Sequence, residues 1–210
     1  GILYDKWWKA IPGVSGPADD NPVWKLQTTN NRNGSDTWRY KECHGWDYQG
    51  KDGAYVSGSH YTGFKEILDA RTTTIDELLD ILKGKTNAYH DFSTIIDDET
   101  LTKLAEFVAE GGVIYLTLYI DYKTKKPIGG DIDHGKELYN LNCTPCHGED
   151  GKEIMFGEEN IGSIAINNPW EFIHKAKFGQ PGTPMPSGIE NGLSTFDIVD
   201  LLAYCQTLHE

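Results

Sequence analysis

Cys143-Thr144-Pro145-Cys146-His147 is the stretch that most restricts what this chain can become. Two thiols three positions apart can each add to one vinyl group of a single haem, and the histidine that follows then points at the iron. C-x-x-C-H therefore reads as covalent haem attachment. A redox dithiol or half of a zinc site also shows C-x-x-C, but neither needs the adjacent histidine. No second cysteine pair follows to complete a zinc ligand set.

A haem iron held by histidine on one side usually takes a second protein ligand, and methionine there raises the reduction potential. The chain has two methionines. Met185, between Pro184 and Pro186, sits in a stiffened loop ahead of a well-signalled helix and is the expected ligand of His147's iron. Met155, in Glu153-Ile154-Met155-Phe156-Gly157, reads instead as a gap filler in the haem wall. Attachment motif, irregular middle, Pro-flanked methionine and closing helix with an aromatic residue together resemble small single-haem cytochrome c domains. The resemblance implies an opening helix, Gly135 to Leu141, crossed by a closing one, Phe196 to Leu208.

One such domain needs about half of the 210 residues, so two domains are expected. No apolar run reaches the roughly 18 residues of a membrane span, and no basic-then-apolar signal opens the chain. Because c-type haem is attached outside the cytoplasm, the resemblance implies a periplasmic or extracellular protein whose signal has been removed. The net charge of -13 argues against nucleic acid and anionic membranes as partners. Residues 1–126 carry 15 basic and 19 acidic side chains, and residues 127–210 carry 4 and 13. A basic redox partner would be steered to the second half, unless the acidity only keeps the protein soluble.

A second motif lies upstream. Trp38-Arg39-Tyr40-Lys41-Glu42-Cys43-His44-Gly45-Trp46-Asp47-Tyr48 resembles the W-R-C-K-E-C-H-G-W-D-Y pattern of a group of two-haem secreted cytochromes, with Tyr40 as the only departure. A phenol does not add to a vinyl group under the conditions that suit a thiol. The expectation is one thioether through Cys43, His44 as proximal ligand and Tyr40 beside the haem. Downstream, Thr74-Ile75-Asp76-Glu77 is a capping box that opens a helix stopped at Gly84, and another helix runs from Asp98 to Gly111-Gly112. Asn87-Ala88-Tyr89-His90-Asp91-Phe92 lies between them. Motif, helix, candidate ligand and closing helix thus recur in the order of the second half, with His90 where Met185 stands. His90 is the expected distal ligand, and His60, in the glycine-rich Gly58-Ser59-His60-Tyr61, competes for that role.

The fold class expected is mainly α, as two tandem cytochrome c-like helical domains with long irregular loops. Residues 1–24, rich in Trp and Pro, read as an arm laid on the first domain, since tryptophans this dense are rarely left in water, 25–126 as the first domain and 127–210 as the second. Val113 to Tyr122 reads as extended, and Lys123, Lys125 and Lys126 as the linker. Asn168-Pro169-Trp170-Glu171 opens a helix carrying His174, an alternative ligand or an exposed or haem-edge residue. Cys205 reads as a buried free thiol, and His134 and His209 as surface residues. The functional expectation is electron transfer through two haems c between redox partner proteins. Two alternatives stand beside it: a dihaem oxidoreductase acting on a small sulfur compound or peroxide, and a subunit of a conductive assembly joined through Trp7-Trp8.

Overall fold

The computed structural model describes residues 1–208 and is mainly helical. His209 lies outside the described residues. Two compact units divide the chain, Gly1–Ile114 and Tyr115–Glu210.

In the first unit the tryptophan-rich start is core. Trp7 and Trp8, on the short helix α1 (Trp7–Ala10), are 1% and 6% exposed, which removes the motive for an assembly joined through them. The indole N–H of Trp7 donates to the Trp38 carbonyl at 3.2 Å, that of Trp24 to Arg32 at 2.9 Å and that of Trp38 to Asp19 at 2.8 Å. With the polar tip satisfied, each ring can bury its large apolar face at little cost. Helix α2 (Tyr40–His44) carries the upstream motif.

Helix α3 (Ile75–Leu82) has the expected capping box, with Glu77 N donating to Thr74 Oγ1 at 3.3 Å and Thr74 N to Glu77 Oε2 at 3.1 Å. The chain then turns back at Gly84, whose φ of +71° suits glycine and where a Cβ would stand 2.7 Å from Asp91. That close approach lets Lys83 and Asp91 form a bridge and lays the His90 segment against α3. Helix α4 (Asp98–Ala109), capped by Asp97, packs on α3 with Leu101, Leu104 and Ala105 turned inward.

The second unit opens on a hairpin. Strands β1 (Ile120–Asp121) and β2 (Lys126–Pro127) pair antiparallel, so the extended reading survives over two residues only, and the basic linker is the turn between them. Asp121 Oδ1 accepts from Lys123 N at 2.8 Å and Thr124 N at 3.0 Å, an Asx turn that fixes the reversal. Gln206 donates to the Lys125 carbonyl and Lys125 Nζ to Asn167, which stitches this turn into the second unit. The turn thus belongs with the unit Tyr115–Glu210.

Helix α5 (Ile132–Asn142), capped by Asp131, leads to the attachment helix α6 (Thr144–His147). Helices α7 (Ile161–Asn167) and α8 (Pro169–Phe178) follow, and α9 (Thr195–Cys205), with a Ser194–Asp197 capping box, closes the unit. Pro169 takes the first helical position of α8, but Asn168 donates its side-chain N–H to Glu171 at 2.8 Å instead of capping the backbone. Helix α5 crosses α9 where Gly135 meets it: a Cβ there would lie 2.0 Å from the Asp200 carbonyl oxygen. Only glycine lets the two backbones touch.

Candidate haem sites

Tyr40, Cys43, His44, His90 and Phe92 line one cavity of about 300 Å³ in the first unit, walled by apolar side chains of α3 and α4. The rings of His44 and His90 lie 6.4 Å apart between centres, tilted by 67°. With metal–nitrogen bonds of about 2 Å and a nitrogen roughly 1 Å from its ring centre, two imidazoles on one metal separate their centres by about 6 Å. The donor pair fits a single iron.

The other nitrogens are taken. His44 Nδ1 lies 2.7 Å from the Lys65 carbonyl oxygen and His90 Nδ1 3.2 Å from that of Ile81. A carbonyl needs a donor, so Nδ1 holds the proton and Nε2 keeps its lone pair, the tautomer a metal requires. Burial pushes His44 down to about 4, against the Lys65 bond, and lowers His90 as well. Both rings are neutral at physiological pH, as ligands must be. Burial also raises the Cys43 thiol to about 12.

His60 is elsewhere. It does not line this cavity; its Nδ1 lies 3.8 Å from Glu42 and its Nε2 3.4 Å from Arg32. Glu42 is fully buried, which by itself raises its pKa, but His60, Lys41, Arg39 and Arg32 around it outweigh this and hold it well below the usual carboxylate range. This ionic cluster anchors α2 from behind while Tyr40 and Cys43 face forward.

In the second unit His147 ends α6, buried, with its Nδ1 enclosed and without a hydrogen-bond partner. Burial lowers its pKa, so this ring too is neutral. Cys143 is half-buried, Cys146 exposed, and both are free thiols. Phe156 lies 6.3 Å from the His147 ring, and Leu141, Ile154, Met155 and Phe156 expose apolar surface in the segments flanking it. An apolar macrocycle is the kind of group such a surface suits. Met185 is half-exposed on a loop whose ends are fixed: Gly188 N and Ile189 N donate to the Ala176 and Lys177 carbonyls at the end of α8. His174 is 1% exposed inside α8, so it is not a surface residue. Cys205 is a buried free thiol, as expected.

The two motifs share a local design that sequence reading passed over. Tyr4 Oη donates to the Gly45 carbonyl at 2.7 Å and Tyr139 Oη to the Gly148 carbonyl at 2.8 Å. Each glycine follows the motif histidine in the left-handed region, at φ +74° and +77°. Three residues after each histidine, Asp47 accepts from Gln49 N and Asp150 from Lys152 N. The visible signal was His-Gly-x-Asp, present at both 44–47 and 147–150.

No helix among the described residues is long and apolar enough to cross a membrane. No curated protein matches the chain. Residues 130–204 match the family model described as Cytochrome C oxidase, cbb3-type, subunit III. This span contains Cys143, Cys146, His147, Met185 and most of α9, and its match supports a c-type cytochrome with covalently bound haem c and a role in electron transfer between redox partners.

Proposed function

We propose that the protein is a periplasmic or extracellular electron carrier that relays single electrons through two c-type haems, one in each unit. Cys143 and Cys146 attach the second haem, ligated by His147 and Met185. Cys43 alone attaches the first, ligated by His44 and His90. The observation that carries this reading is the His44–His90 pair: two neutral rings at the spacing of one metal, in an apolar cavity beside Cys43, with both Nδ1 atoms committed to carbonyls. The Tyr4–Gly45 and Tyr139–Gly148 bonds support it, because the chain builds the neighbourhood of the incomplete motif like that of the complete one.

Haem supplies the one-electron chemistry when bound, and the protein sets its potential through ligands, burial and hydrogen bonds. Two histidines, each polarised by a carbonyl, give the first site the lower potential, and His147 with methionine gives the second the higher one. Electrons run from the first unit to the second. Spectroelectrochemical titration tests this: two one-electron steps are expected, the lower belonging to the haem that His90→Ala perturbs. If the His90-dependent haem has the higher potential, the direction is wrong.

A further inference from the structure

Tyr40 stands where the attachment pattern has its first cysteine, one helical turn before His44 and on the same side of α2. Its ring stacks on Phe92 at 4.5 Å between centres and 29° between planes. Phe92 is two residues beyond His90 and touches that ring edge-on at 5.1 Å. It is itself held by its N–H on the Leu82 carbonyl at 2.9 Å and by Trp38 at 5.8 Å. One aromatic pair thus connects the helix carrying His44 to the segment carrying His90. The Tyr40 hydroxyl is enclosed without a hydrogen-bond partner, and burial raises its pKa well above the usual value. A neutral phenol of this kind is no nucleophile toward a vinyl group, so what Tyr40 contributes is its ring.

We propose that the Tyr40–Phe92 stack is a clasp holding His44 and His90 at the spacing of one iron before haem is attached, so that the first unit takes up haem by axial ligation alone, independently of any thioether. The proposal rests on the His44/His90 ligand reading. In an ordinary attachment site the first thioether helps to pin the macrocycle to the helix. Here the pinning is transferred to protein: α2 is fixed to the distal segment by two stacked rings that line the cavity, and the Nδ1 bonds to Lys65 and Ile81 leave both Nε2 lone pairs for the metal. Tyr40 and Phe92 are positioning residues, acting through the two histidines.

The test uses the full chain carrying its second haem, with Cys43→Ala removing the remaining thiol of the first site, titrated with ferric protohaem. Uptake of one further haem with a low-spin, two-imidazole electron paramagnetic resonance signal is expected. In the same background Tyr40→Phe keeps the ring and should retain both affinity and signal. Tyr40→Leu should weaken uptake by about tenfold and displace the signal or add a high-spin component. Phe92→Leu, on the opposite side of the stack, should do the same and guards against a misfolded Tyr40→Leu protein. Equal affinity and an unchanged signal in both leucine variants overturn the clasp. Absence of a low-spin two-imidazole signal from the Cys43→Ala protein itself, or its persistence in His90→Ala, overturns the ligand reading beneath it.

Discussion

The rings of His44 and His90 line one cavity with 6.4 Å between centres, and each gives its Nδ1 to a carbonyl of a different segment, Lys65 for one and Ile81 for the other. The segments 64–67 and 75–92 therefore act as the outer shell of the site. Removing His90 should leave the first iron with one protein ligand. His90→Ala is expected to turn half of the low-spin spectrum high-spin and to leave the haem on Cys143 and Cys146 untouched. An unchanged spectrum contradicts the assignment.

Tyr40→Cys recreates the complete attachment pattern. It should add a second thioether to the first haem, moving the pyridine haemochrome band of that haem to the position of the second. The cost is the Phe92 stack, about 1 kcal/mol of stability by the usual worth of an aromatic pair. A haemochrome spectrum identical to that of the parent protein, at equal haem content, would contradict a Cys43-only attachment.

Much of this was legible in the chain itself. The complete motif, the Thr74–Glu77 and Ser194–Asp197 capping boxes and the stop at Gly84 are local signals, and each formed where its few residues dictated. What escaped were pairings across long separations. Nothing near Tyr40 announces Phe92, and nothing near Trp7 announces the Trp38 carbonyl. Glycines on both sides give His60 the pattern of a ligand loop, and the sequence does not announce that its Nδ1 lies 3.8 Å from the buried carboxylate of Glu42, eighteen positions earlier. The hairpin of 120–127 rests on Asp121 and its turn, a signal masked by three lysines of the kind a linker carries.

His134 Nδ1 lies 2.8 Å from Asp200 Oδ2, tying α5 to α9, and this hydrogen bond raises the histidine's pKa above its usual value. A raised folded-state pKa stabilises fully below the unfolded value of about 6.5 and is lost as pH rises through the folded one. His134→Gln should therefore lower the melting temperature more at pH 5 than at pH 9. A gap independent of pH would show that the bond contributes no charge-dependent stability.

Gly135 touches the Asp200 carbonyl across the same helix pair, with no room for a methyl group. Gly135→Ala must drive α5 and α9 apart, at a cost of about 3 kcal/mol or more. Chemical denaturation should register this as a lowered midpoint for the second unit, with the His44/His90 spectrum preserved up to that point. A midpoint equal to the parent's would mean the helices slide without penalty.

Two haems, the first held through Cys43 alone, are what the proposed relay requires. Intact mass of the purified protein, paired with a pyridine haemochrome spectrum, tests it most directly. The expected mass is that of polypeptide plus two haems, with half of the haemochrome band shifted toward the single-thioether position. A mass of polypeptide plus one haem, with no further pigment released by acidified solvent, would contradict it and leave a carrier with one redox centre.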